Sequence, residues 1–125
     1  KLTSQSLILV GGSYSASLSL IEAAKNESVK AVVAFNPGEY FLPKFKVNEM
    51  IKSLEKPVFV SATYREEKYV KKLLEGIPEN FITLYTVGDN KDAYGAKILW
   101  SEIEGSNQCW LELMMFINKV RNEYR

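Results

Sequence analysis

Apolar runs bounded by turn residues alternate along this chain with stretches whose apolar positions recur every three or four residues. The runs predict strands over Leu7–Val10, Lys30–Phe35, Val58–Ala62 and Phe81–Val87. From Val29 to Phe35 the apolar character is interrupted only by Lys30, as in a strand covered on both faces, and all four runs read as buried. The recurring positions predict helices between the strands. In Ser15–Lys25, Leu18 and Ile21 share a face, and Ala23 and Ala24 permit close approach. Val47, Met50, Ile51 and Leu54 stand at i, i+3, i+4 and i+7, ahead of the helix-breaking Pro57. Tyr69, Val70, Leu73, Leu74 and Ile77 repeat the pattern before Pro78. The last helix, Gln108–Glu123, carries Trp110, Leu111, Leu113, Met114, Phe116, Ile117 and Val120, a broad apolar surface expected to pack on the sheet. This alternation predicts an α/β protein with three layers, α/β/α, around a parallel sheet of about four strands. Without repeat or linker, residues 1–125 read as a single domain.

Composition narrows the picture without redirecting it. With 125 residues, 46% hydrophobic and 25% charged, the chain suits one soluble globular domain. Sixteen Lys and Arg against fifteen Asp and Glu leave a net charge of +1, so no overall field favours nucleic acid or anionic lipid. The mixed run Lys68–Lys72 reads as a solvated helix face. No apolar run approaches the roughly 20 residues needed to cross a bilayer. Neither nucleic acid nor membrane is an expected partner. The single cysteine, Cys109, leaves no internal disulfide and no cysteine-rich metal site, and its apolar helical setting predicts a buried, inert thiol. With no histidine in the chain, neither metal nor cofactor is expected; Asp89 and Asp92 could touch a hard cation but read as solvated acids of a polar loop. A start at Lys1, so close to a strongly apolar strand, reads as a processed chain or a piece of one. Compartment is not legible, with cytoplasm favoured over a processed secreted chain.

The candidate chemistry lies after the first predicted strand, in Gly11-Gly-Ser-Tyr-Ser-Ala16. A serine presented at a sharp junction between strand and helix needs small residues two before and two after it, because larger side chains there collide with the strand or the helix. Gly11 and Ser15 meet that requirement about Ser13, and the peptide N–H of Tyr14 would face the same space as an oxyanion donor. Two other readings stay open on the motif alone. Ser13 or Ser15 could simply cap the helix, or the turn could cradle an anion at a helix N-terminus, although it lacks the lysine of a phosphate loop and the third glycine of a dinucleotide fingerprint.

Together with Val32-Val-Ala-Phe-Asn-Pro-Gly-Glu-Tyr-Phe41 and Lys56-Pro-Val-Phe-Val-Ser-Ala62, this segment resembles the dienelactone-hydrolase-like branch of the α/β-hydrolase superfamily. The resemblance implies the C-terminal part of that fold, lacking its N-terminal strands. It implies Ser13 as nucleophile and the Tyr14 N–H as oxyanion donor, with Gly12 and Tyr40 as binding residues beside them. The acid falls on Glu66 or Glu67 after the third strand, or on Glu39 after the second, where some relatives place theirs. Glu66 and Glu67 also begin a predicted helix, where carboxylates are favoured without any chemistry. Family members carry His-Gly where this chain has Tyr94-Gly95. A phenol with a pKa of about 10 is protonated at neutral pH and a poor acceptor for the serine proton. An efficient Ser-His-acid hydrolase is therefore excluded within this chain.

Three functions follow. The first is a degenerate hydrolase, weakly active or inactive, that binds a small acyl or carbonyl compound. The second is an unusual esterase or thioesterase using Ser13 with Tyr94, Asp92 or an external base. The third is a Rossmann-like binding or assembly module. If Leu7–Val10 is central in the relatives, its open edge here predicts either a preceding segment or a homodimer partner along it.

Overall fold

The computed structural model describes residues 6–88, 98–99 and 105–123. Its elements run β1 (Leu7–Gly12), α1 (Tyr14–Lys25), β2 (Val29–Phe35), α2 (Val47–Ile51), β3 (Val58–Thr63), α3 (Glu67–Leu73), a 3-10 turn (Glu79–Phe81), β4 (Ile82–Val87) and α4 (Ser106–Glu123). The strands form one parallel sheet in the order β1-β2-β3-β4. Because the order follows the sequence, right-handed crossovers put all three connecting helices on the same face. That face buries Leu20 and Ala23 of α1, Val47 and Ile51 of α2, and Val70 and Leu73 of α3 against Val32, Ala34, Val58, Val60 and Ala62. The alternate residues, Ala31, Val33, Phe35, Phe59 and Val87, face the other way and are covered by Cys109, Leu113, Phe116 and Val120 of α4 with Ile98. The result is the three-layer α/β/α arrangement that the sequence pattern predicts.

The predicted burial of all four strands holds for β2 and β3 only. β1 and β4 are the sheet edges, and β1 leaves Leu7 45% and Val10 64% exposed. An apolar run reports that a strand faces a core; which strand lacks a neighbour is set by pairing. The breadth of the last helix is also corrected. One helix crossing a sheet face buries only a stripe, so Trp110, Leu111 and Met114 point outward together with Met115. α2 is shorter than its spacing predicts: Met50 is exposed, and Leu54 reaches the core from beyond the helix. Phe81 belongs to the 3-10 turn rather than to β4. Below α1, Lys56 donates from Nζ to the carbonyls of Ala23 and Asn26 at 2.6 and 2.8 Å, satisfying acceptors at the end of that helix. Among the described residues no helix is long and apolar enough to cross a membrane, and no group of three or more His, Cys, Asp or Glu could hold a metal ion.

Cys109 is fully buried. Burial, reinforced by the Glu112 carboxylate, pushes its thiol from 9.0 up to about 11. A raised acid pKa means that the unfolded chain loses its proton first. The neutral thiol's contribution is complete below about pH 9 and is lost as pH rises toward 11, on the order of 2–3 kcal/mol in all. Urea melts between pH 8 and 11 are expected to show this loss, and Cys109→Ala to flatten it. An equal decline in both proteins would exclude the thiol as its source.

Candidate functional site

In a parallel sheet every strand ends at the same edge, and loops leaving the carboxyl ends collect there. Here the ladder runs one step past the strands: the N–H of Ser13 donates to Phe35 O at 2.7 Å, that of Asn36 to Ser61 O at 2.7 Å, and that of Tyr64 to Val87 O at 3.0 Å. Ser13 and Asn36 therefore sit side by side, since Gly12 pairs with Phe35. They are also the two non-glycine residues with positive φ among those described, at 53° and 55°. Asparagine tolerates that region; serine does so at a cost in backbone strain.

Ser13 has ψ of −116° and occupies the N-cap of α1, yet its side chain makes no capping hydrogen bond. The capping alternative for Ser13 is thus not realised. The Ser15 hydroxyl instead turns back on Gly12, accepting from its N–H and donating to its carbonyl, both at 2.9 Å. The turn is tight enough that a Cβ on Gly11 would lie 2.4 Å from Ser15 O and 2.8 Å from Ala16 N, the steric demand that the spacing around Ser13 implies. The N–H of Tyr14, first in the helix and without an intrahelical acceptor, follows Ser13 directly.

The three candidate carboxylates have different surroundings. Glu39 accepts from the N–H groups of Val47 and Asn48 at 2.6 and 3.1 Å, capping α2 from eight residues upstream. Glu67 lies in the first turn of α3 and pairs with Lys71 at 2.8 Å. Glu66 is the one drawn to the sheet edge beside Ser13's neighbour. Its Oε1 accepts from Asn36 Nδ2 at 2.5 Å and from Thr63 Oγ1 at 3.0 Å. Sequence reasoning did not single out Asn36, whose buried amide ties β2 to the start of α3; its one signal was an asparagine at a strand end before Pro37. Tyr94, Asp89 and Asp92 lie outside the described residues.

The loop from Asn36 to Lys46 is anchored through polar groups and shows its rings outward. Gly38 and Ser17 exchange hydrogen bonds at 2.7 and 2.9 Å. The Glu39 N–H donates to Tyr69 Oη at 2.7 Å, and Tyr40 Oη donates to the Asn36 carbonyl at 3.2 Å. Tyr14 meets Phe41 edge-on at 4.7 Å, Phe41 stacks on Phe45 at 4.8 Å, and Tyr40 lies 6.5 Å from Tyr14. A cavity of about 220 Å³ lies elsewhere, lined by Glu39, Lys46, Asn48, Tyr69, Lys72 and Leu73. Ser13 does not line it, and its most buried polar groups already serve the ends of α2 and α3.

Solved structures share this architecture. An esterase of Pyrococcus furiosus, Pf2001, is similar in two crystal forms: TM-score 0.74 at 14% identity over 93% of this chain, and 0.67 at 15% over 90%. This chain shares the α/β fold of that esterase. It spans about half of the esterase, 54–55% of that chain, and at such identity the likeness extends to the fold alone. No protein-family model and no curated protein matches the sequence.

Proposed function

We propose that this chain carries the serine-presenting half of an α/β-hydrolase fold, related to the dienelactone-hydrolase-like branch by its motifs, and binds a small acyl or carbonyl compound at Ser13 without efficient turnover. The observation that carries the reading is the strained Ser13 backbone at the end of β1, with a hydroxyl that does not cap the helix it precedes. Strain of this kind persists only where the surrounding structure over-determines it, and it clusters at functional sites. A carbonyl carbon set against Ser13 Oγ would place its oxygen toward the Tyr14 N–H and the positive end of α1. Glu66, fixed by Asn36 and Thr63, is the carboxylate best placed for the acid's role, and Glu39 is engaged in capping α2. Attack by Ser13 still requires a base to take its proton, and this chain has no histidine. Binding and the oxyanion site alone sustain only residual catalysis. The open, apolar edge of β1 is read as the seat of a neighbouring strand, from a longer chain or from a second copy.

A fluorophosphonate probe with peptide mass spectrometry, run beside an amide NMR titration with butyrate, tests this. The expected result is an unmodified Ser13, ester hydrolysis no faster than in Ser13→Ala, and butyrate-dependent shifts of the Ser13 and Tyr14 amides. A stoichiometric adduct on Ser13, with turnover lost in Ser13→Ala, would replace this reading by an esterase or thioesterase with a non-histidine base. Absence of both adduct and shifts would leave the binding reading without support.

A further inference from the structure

We infer that the rings of Tyr14, Tyr40, Phe41 and Phe45 form the seat for the apolar chain of the compound bound at Ser13, so that the site takes esters or thioesters of medium-chain carboxylic acids in preference to acetyl compounds. The inference rests on the Ser13 reading and adds a substrate class to it.

Three observations converge on this seat. Tyr14 follows Ser13 directly, and its ring begins a run that continues through Phe41 to Phe45 in steps of 4.7 and 4.8 Å. Such a run extends beyond the reach of a two-carbon acyl group, whereas a chain of about six to eight carbons can lie along it. The rings are also not consumed by the core: Tyr14 is 55% exposed, Tyr40 and Phe45 are exposed, and only Phe41 is half-buried against the α1 face. Finally, the segment that carries them is held in place by other atoms. Ser17, Tyr69 and the Glu39 carboxylate fix its backbone or the helix it leads into. A loop anchored at Gly38 and Glu39 that turns aromatic rings to solvent next to Ser13 is partly preorganised for an apolar ligand, because less ordering remains to be done on binding. Aromatic faces also favour alkyl chains through large contact area at low entropic cost.

Amide NMR titration of the whole chain with acetate, butyrate and octanoate, together with nuclear Overhauser contacts from the octanoate methylenes, tests the seat. A methylene fully removed from water tightens binding about fourfold, and one resting on an open surface about twofold. Octanoate is therefore expected to bind about tenfold more tightly than butyrate, with contacts to the Tyr14 and Phe45 rings. Phe45→Ala, an exposed substitution, is expected to weaken octanoate about threefold to fivefold and to weaken butyrate much less, since the shorter chain reaches Phe45 least. The contacts in the wild-type chain decide the matter even if that variant folds poorly. Equal affinities for butyrate and octanoate, both moving the Ser13 amide, would uphold the Ser13 reading and overturn the seat. Octanoate contacts confined to the outward face of α4 would overturn the seat as well. Contacts on the four rings with the Ser13 and Tyr14 amides unmoved would uphold an apolar seat and overturn the Ser13 reading.

Discussion

Phe59→Ala is expected to cost about 3–5 kcal/mol, the range for removing a fully buried aromatic side chain and leaving its space unfilled. Phe59 is completely buried near the start of β3, with its ring 6.4 Å from that of Phe35 and 5.7 Å from that of Phe116. It therefore joins three elements, β2, β3 and α4. The face it occupies has α4 as its main cover, and α4 meets that face through four buried side chains at fixed helical spacing. A helix bound in that way cannot follow the lost volume without giving up its other contacts, so the cavity remains. For a domain whose whole stability is typically about 5–15 kcal/mol, such a loss is a large fraction. Urea denaturation should show a much lower midpoint with an unchanged slope, and Phe59→Leu should recover most of it. A loss below about 1 kcal/mol would mean that the α4 face is loosely packed and that the packing described for it is wrong.

At Gly11 the expected effect is nearly as large and reaches the candidate site directly. The added Cβ of Gly11→Ala would meet Ser15 O at 2.4 Å, Ser15 C at 2.6 Å and Ala16 N at 2.8 Å. All three are backbone atoms, so no side chain can rotate away; either β1 or the first turn of α1 must move. Overpacking of this kind typically costs about 1–3 kcal/mol, and the movement changes the backbone at Ser13, two residues on. The variant is expected to lose about 2–3 kcal/mol in urea melts and, at temperatures where it remains folded, to lose the butyrate response of the Ser13 and Tyr14 amides. Gly88→Ala is the control, since a Cβ there has no neighbour within 4 Å among the described residues, and it should change stability by less than about 0.5 kcal/mol. Normal stability and normal ligand response in Gly11→Ala would show that the turn is not as tight as described.

The surroundings of the two sites explain which expectations the structure keeps. The strands, their parallel pairing and the helices between them were legible because each depends on patterns a few residues long. A run such as Val29–Phe35 can be buried on both faces wherever it lies, and Pro57 and Pro78 end helices without reference to the rest of the chain. The steric requirement at Gly11 is likewise local: the residues that would collide are four and five positions away. The open edge at β1 was anticipated only through the family resemblance; the apolar runs themselves do not give it, because β1 and β2 are similarly apolar and differ only in whether a second neighbour pairs with them. The outward face of α4 was misread for the same reason. A helix with apolar residues on most sides gives no sign of which stripe the sheet will cover.

Among the carboxylates the sequence favoured Glu39, in a Pro-Gly turn at a strand's carboxyl end, over Glu66 and Glu67 at a helix start, and contacts across 8 to 30 residues separated them: Val47 and Asn48 draw Glu39 to α2, while Asn36 draws Glu66 to the sheet edge. The ring cluster beside Ser13 joins Tyr14 to Phe41 and Phe45, residues brought together only when β2 pairs with β1 and the following loop folds back on α1. The sequence by itself determined the alternation of strands and helices, the glycine-serine turn and the absence of histidine, since these are properties of single residues and short spacings. Tertiary structure alone decided which face of α4 is covered, the partner of each acid and the company that Ser13 keeps, because these depend on which distant segments the sheet register sets side by side.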